Sequence, residues 1–157
     1  MGKRLQSWKA GDIFAVPVSV DEMGLGQVIS EEQPCMDSVL CAFFLDSFQT
    51  QSDVDSYVPS SNRLMSVQLT TRDLLDLGKW RVCKTCTPLD VTNLFPIVAL
   101  RKNEYVGARI RGSKQMSELV SAYHRKSVWD DFHDPKYLDG LLLPGVQRPK
   151  GVILKKG

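Results

Sequence analysis

Apolar and polar residues alternate near the start of the chain with the two-residue period of a β-strand. Between residues 12 and 18, Ile13 and Ala15 lie on one face, and the opposite face carries three further apolar residues: Phe14, Val16 and Val18. Pro17 has no N–H to donate to a neighbouring strand, which predicts an edge, a strand end or a bulge at this position. The pattern therefore predicts a first strand over residues 12–18.

Two glycines precede the next apolar segment, residues 27–29. Gly24 and Gly26 flank Leu25, and glycines at this spacing predict a bulged or tightly curved strand start. The most apolar stretch, residues 38–48, is short and rich in aromatic residues, which favours a central strand over a buried helix. Further strands are predicted at residues 64–69, at residues 79–83, and in a hairpin that pairs residues 97–100 with residues 104–110.

Three segments predict short helices. One begins within residues 70–75, where a threonine can cap it, and ends at Gly78. The longest covers residues 113–126, where four apolar residues recur at helical spacing: Met116, Leu119, Val120 and Tyr123. The third begins at Asp134, with Pro135 in its first position.

These elements predict one α+β domain in the 157 residues. We expect a strongly curved antiparallel sheet or half-open barrel, mostly β, with two or three short helices packed on it. The core is expected to extend from about residue 8 to residue 145, followed by a C-terminal arm at residues 146–157.

The charge balance does not indicate a polyanionic partner. The chain has 20 basic and 18 acidic residues and a net charge of +2, which is too balanced to predict nucleic-acid or membrane binding from charge alone. No apolar run approaches the length needed to cross a bilayer, and the basic N-terminus lacks the apolar segment of a secretory signal. We therefore expect a cytoplasmic protein.

No constellation of residues predicts catalysis, a metal site or a cofactor site. Cys83 and Cys86 form a Cys-x-x-Cys pair, but the other two cysteines lack the spacing of a zinc knuckle. We expect buried or half-buried thiols. His133 adjoins Asp134, and an acid–base pair there is the alternative to charges that cap helices and stay solvated.

A nucleic-acid-associated small β-barrel is the alternative from another functional class. Arg109 and Arg111 are two residues apart at the end of a predicted strand and would share a face. A nucleic-acid platform needs exposed aromatic residues between its cations, and only Tyr105 fits. The pattern favours a solvated strand face.

The polar segment at residues 49–62 is predicted to be a loop. It contains Asp53, Asp55 and Tyr57. Acidic residues interleaved with an aromatic residue suit a protein-binding surface, and a merely solvated loop is the alternative.

Three groups of residues carry a resemblance to a known family. They are Gly-Asp-Ile-Phe-Ala-Val-Pro at residues 11–17 with the glycines at 24 and 26, Asp-Leu-Leu-x-x-Gly-x-Trp at residues 73–80, and Trp-Asp-x-Phe-x-Asp-Pro-x-Tyr-Leu at residues 129–138 with Leu-Leu-Pro at 142–144. In this order they resemble the immunity protein 26 family of bacterial polymorphic toxin systems. The resemblance implies a mostly β or α+β cytosolic protein that binds a toxin encoded beside it and blocks it, without catalysis or a cofactor.

The resemblance does not transfer contact residues, because the motif residues are expected to determine the fold. We therefore expect the toxin to contact polar segments outside the motifs. The candidates are Asp53, Asp55 and Tyr57 in the first segment, and Glu31 and Glu32 in the second. Acidic side chains there could mimic a phosphate backbone facing a nuclease toxin, or pair with lysines around any active-site cleft.

Overall fold

Six strands form one sheet at the centre of the fold. The computed structural model describes residues 4–155 of the chain. The strands are β1 (Asp12–Ser19), β2 (Glu22–Glu32), β3 (Ser38–Phe48), β4 (Leu64–Thr70), β5 (Arg81–Thr85) and β6 (Ile110–Arg111). They lie in the order β5-β1-β2-β3-β4-β6, and only β4 and β6 are parallel. The predicted α+β class is confirmed, but the all-antiparallel sheet is wrong at one edge. β5 and β6 form opposite edges, so the sheet is not closed and the half-open barrel is not confirmed.

Short helices connect the strands or pack on the sheet. In residues 4–155 the α-helices are α1 (Gln51–Ser56), α2 (Asp73–Asp76), α3 (Ile97–Lys102) and α4 (Ser113–Tyr123), with 3₁₀ turns at Ser61–Arg63 and Asp139–Leu141. The predicted long helix is therefore confirmed as α4. The helix predicted at Asp134 is wrong, because this carboxylate instead closes a turn by accepting a hydrogen bond from the Lys136 backbone N–H at 2.9 Å.

The predicted hairpin at residues 97–110 is wrong. Its first half is α3, in which Ile97 is buried and Leu100, three residues later, packs against the same apolar cluster. Glu104 and Tyr105 have positive φ angles of 53° and 62° and redirect the chain after the helix. Within the predicted hairpin, only Ile110 and Arg111 form a strand. The prediction failed because the apolar run at residues 97–100 is too short for its periodicity to distinguish a strand from one helical turn.

The two irregularities predicted at the proline and at the glycine pair both lie in the first two strands. The β1–β2 register shifts between Pro17 and Ser19, which confirms the bulge at the proline. β2 begins at Glu22, earlier than predicted, and the β2–β3 register shifts between Gly24 and Gly26. A Cβ atom at Gly26 would collide with the ring of Phe14, so the close backbone approach requires glycine.

Apolar side chains cover both faces of the sheet. The face under α4 is centred on Trp80, whose ring stacks on Phe14 at a centroid distance of 4.8 Å and meets Phe43 edge-on at 5.6 Å. The Trp80 indole N–H donates to the Ser117 hydroxyl on α4 at 2.8 Å. A second cluster on the opposite face includes Ile13 and residues that follow β5, which places the 86–95 loop over that face.

The two ends of the described chain pack on this core. Trp8 is buried, and its indole N–H donates to Asp76 at 2.8 Å. In the C-terminal arm, Ile153 forms an isolated parallel bridge with Val128. No helix in residues 4–155 is both long and apolar enough to cross a bilayer.

Candidate protein-interaction surface

The two predicted acidic segments lie at opposite ends of β3. Glu31 pairs with Val39 near the start of that strand, whereas α1 follows Phe48 at its end. Phe48 lies nine positions after Val39, or roughly 30 Å along the strand at about 3.3 Å per residue. The fold therefore does not bring the two segments together into one surface.

Glu32 is a buried member of an ion-pair cluster. Its carboxylate accepts two hydrogen bonds from Arg101, at 2.8 Å and 2.7 Å, one from the Tyr105 hydroxyl at 2.8 Å and one from Ser30. Burial of Glu32 raises the pKa of its carboxyl, but the hydrogen bonds from these three residues outweigh burial and lower the pKa below 4.5. The cluster therefore ties α3 and the turn after it to the end of β2, and the Glu32 side chain is not exposed to a partner.

Glu31 lies on the neighbouring position of the strand and is exposed. Side chains alternate along a strand, so Glu31 faces away from Glu32. In residues 4–155, the Glu31 carboxylate has no ion-pair partner. One member of the second predicted segment is therefore available for contact.

The first predicted segment contains a helix, so the predicted loop at residues 49–62 is wrong. The Thr50 hydroxyl caps α1 by accepting a hydrogen bond from the Asp53 backbone N–H at 3.1 Å. Val54 is fully buried and anchors the helix to the core. A threonine followed three residues later by an aspartate was the available sequence signal, but six residues are too few to show helical periodicity.

The carboxylates of Asp53 and Asp55 are exposed on α1. Asp55 accepts a hydrogen bond from the Gln51 side chain at 2.7 Å. Neither carboxylate forms an ion pair with any residue that the structure describes. α1 therefore presents two carboxylates to solvent on a helix that is fixed by a cap and a buried valine.

Tyr57 anchors the chain after α1. Its hydroxyl donates to Asp46 at 2.8 Å, and its ring meets Phe44 and Phe48 edge-on at 5.6 Å and 4.9 Å. Burial and the adjacent Asp46 carboxylate raise the pKa of Tyr57. The hydroxyl and most of the ring are thus engaged inside the protein, and Tyr57 positions α1.

A groove of about 550 Å³ adjoins α1. One wall is the segment at residues 55–59, and the other is the segment at residues 86–90. The Lys84 ammonium group lies between them and donates to the backbone carbonyls of Asp55 and Tyr57 at 3.1 Å and 2.5 Å. The acidic helix and this groove form one continuous surface, which the sequence did not reveal.

A larger groove of about 900 Å³ lies at the other end of the sheet, beside α2. Its apolar lining includes Met36 and Leu77, which are 88% and 42% exposed. Arg72 at its rim is ion-paired with Asp37 at 2.7 Å and with Asp76 at 2.9 Å. Arg4 also lies 3.7 Å from Asp76, so two arginines match these two carboxylates.

The cysteines and histidines do not assemble a reactive site. The four cysteines are free thiols, and burial raises the pKa of Cys41 to about 12 and also raises that of Cys83. His124 is half-buried, and burial lowers its pKa, whereas His133 is exposed. The described residues contain no group of three or more His, Cys, Asp or Glu side chains placed to hold a metal ion.

The predicted cationic strand face does not form. Arg109 precedes β6, and Arg111 lies over the Tyr137 ring at 5.6 Å. Tyr105, the aromatic residue expected between the cations, donates to Glu32. The geometry on which the nucleic-acid alternative depended is therefore absent from this segment.

Comparisons of the chain with models of protein families, with curated proteins and with solved structures gave no match.

Proposed function

We propose that this chain is a cytoplasmic immunity protein that binds a cognate bacterial toxin and blocks it by protein–protein contact, without catalysis. The observation that carries the proposal is the pair of exposed carboxylates, Asp53 and Asp55, on the anchored helix α1. Carboxylates held at fixed positions can pair with lysines or arginines around an active-site cleft, or stand in for the phosphates of a nuclease substrate.

The positions of the motif residues support this division between fold and contact. Trp8 and Trp80 are buried, and Gly11 has a φ angle of 95° at a point where a Cβ atom would collide with the Cys86 carbonyl. Packing alone requires glycine at position 24, because a Cβ atom there would collide with the Val120 side chain on α4. Residues of this kind determine the fold, which leaves partner contact to exposed polar segments such as α1.

The net charge of +2 limits how the acidic helix acts. Long-range attraction of a basic toxin by the whole molecule is weak at this charge. The carboxylates of α1 therefore act locally, at the contact, where charge pairs select the partner and its orientation.

The experiment that tests the proposal is co-expression with the protein encoded by the adjacent gene, followed by pull-down and a growth-rescue assay. We expect a stable complex and restored growth. The double variant Asp53→Lys with Asp55→Lys should lose both, while the control Glu118→Lys, at an exposed carboxylate on α4, should retain both.

Failure of the wild-type protein to form a complex or to rescue growth would contradict the proposal. Binding to random oligonucleotides that falls steeply with salt would contradict it in favour of a nucleic-acid-binding domain.

A further inference from the structure

The groove beside α1 has walls that are fixed before any partner binds. Gln27 is fully buried and supports one wall, since its side-chain amide donates to the Thr87 carbonyl at 3.1 Å and accepts from the Leu89 N–H at 3.0 Å. Lys84 and Tyr57 hold the other wall through the contacts described above. Little ordering entropy is lost when a partner enters a groove of this kind.

The lining of the groove is largely apolar. Val58 is 80% exposed at its edge. Further apolar surface comes from three neighbouring residues: Pro59, Pro88 and Leu89. The volume of about 550 Å³ accommodates the apolar side chain of a partner together with adjacent backbone.

Carboxylates flank this apolar lining on both walls. Asp55 lies on one wall and Asp90 on the other, and both are exposed. Neither forms an ion pair with a residue in the range 4–155. The Lys84 ammonium, which also lines the groove, donates to two backbone carbonyls at the end of α1 and forms no ion pair with either carboxylate, so the two carboxylates outnumber this one cation.

The larger groove beside α2 differs in this respect. Its Asp37 and Asp76 carboxylates pair with Arg72. A third carboxylate, Asp73, forms no ion pair with a described residue but accepts hydrogen bonds from the Thr71 and Ser113 hydroxyls. The groove beside α1 differs in having a carboxylate without an ion pair on each wall, so charge complementarity favours it for a basic occupant.

We infer that the groove between residues 55–59 and 86–90 binds a basic segment of a partner protein, in which one apolar side chain is flanked by lysines or arginines. The inference rests on the proposed toxin-binding function and names the chemistry of the toxin segment. The apolar side chain enters between Val58 and Leu89, and the flanking cations pair with Asp55 and Asp90.

The test is an NMR titration of the ¹⁵N-labelled chain with three blocked peptides at millimolar concentration. The first is acetyl-Lys-Arg-Leu-Arg-Lys-amide, the second replaces its leucine with serine, and the third replaces its cations with glutamate and aspartate. We expect the first peptide to shift the amide signals of Val58 and Leu89, the second to bind more weakly, and the third to leave those signals unchanged.

A double variant then tests the flanking carboxylates. Asp55→Asn with Asp90→Asn should raise the dissociation constant of the first peptide about two- to thirty-fold, because each exposed ion pair contributes modestly. The matched control is Glu118→Gln with Asp134→Asn, which removes one carboxylate from a helix and one from a turn outside the groove. It should leave the dissociation constant unchanged.

The inference is overturned if the first peptide shifts signals only outside the groove or none at all, if the acidic peptide binds equally well, or if the double variant has no effect. If the toxin binds this double variant with unchanged affinity, the inference about the groove is also overturned, whereas the proposed toxin-binding function is not. Groove-confined peptide binding without any toxin complex would support the groove and contradict the proposed function.

Discussion

The acidic residues at the two ends of β3 have similar sequence surroundings and very different environments. Glu32 is 2% exposed and accepts hydrogen bonds from Arg101, Ser30 and Tyr105, whereas Asp53 and Asp55 project from α1 into solvent. A buried carboxylate with a matched cation holds elements of the fold together. An exposed carboxylate without one is free to pair with a partner. Matched or unmatched charge, and not acidity itself, therefore separates the structural carboxylate from the proposed contact residues.

The largest expected effect is a loss of stability in the core of the sheet, whose strand β3 separates these two regions. Trp80→Ala should lower the free energy of unfolding by about 3–5 kcal/mol, because it removes a fully buried ring stacked on Phe14. Urea denaturation measures this change. Trp80→Phe keeps an aromatic ring and should lower the free energy of unfolding by less. An unchanged denaturation midpoint in Trp80→Ala would contradict a role for Trp80 in core packing.

The structural role of Glu32 predicts the next largest effect. Arg101→Ala should lower the free energy of unfolding by about 1–3 kcal/mol, because the buried carboxylate loses its charged donor. Lys102→Ala, at the neighbouring exposed cation, should change it by less than about 0.5 kcal/mol. Equal losses in the two variants would show that the ion pair contributes nothing specific.

Tyr57 belongs with the structural residues, although it lies in the same segment as the exposed carboxylates. Tyr57→Phe should lower the free energy of unfolding by about 0.5–1.5 kcal/mol, because the Asp46 carboxylate loses a hydrogen bond. The control is Tyr123→Phe, since the Tyr123 hydroxyl makes no hydrogen bond to any residue from 4 to 155. A loss of toxin affinity without a loss of stability in Tyr57→Phe would place the hydroxyl in the contact.

The smallest effect is a pH dependence. The pKa of Glu32 in the folded protein lies below its ordinary value of 4.5, so the folded state favours the ionised form. Its contribution to stability is present above pH 4.5 and is lost as the pH falls through the folded-state pKa. Calorimetric melting between about pH 6 and pH 3 should show a steeper decline for the wild type than for Glu32→Gln. Identical slopes would contradict the ion-pair role.

The sequence predicted the long elements because their patterns repeat. β1, β3 and β4 have enough residues to show alternation or a sustained apolar run, and α4 shows helical spacing over eleven residues. α1 and α3 have six residues each and a single buried residue, so their patterns do not identify a helix. β6 has two residues and exists through its pairing with β4.

The candidate surface likewise combines features that local sequence shows with contacts that it does not. Asp53 and Asp55 were predicted as contact residues from local composition, and they are exposed. The burial of Glu32 depends on Arg101, which lies 69 positions away in the sequence. The groove depends on Gln27, whose side chain fixes a loop 60 residues further along. Local patterns do not contain such long-range contacts.

We propose that α1 binds the partner, whereas the Glu32 cluster maintains the fold. The most direct test is isothermal titration calorimetry of the toxin recovered by co-expression against three proteins: the wild type, Asp53→Lys with Asp55→Lys, and Arg101→Ala. We expect the α1 variant to lose at least about tenfold in toxin affinity at an unchanged melting temperature. We expect Arg101→Ala to have a lower melting temperature but wild-type affinity. Full affinity in the α1 variant, or a loss of affinity confined to Arg101→Ala, would contradict the proposal.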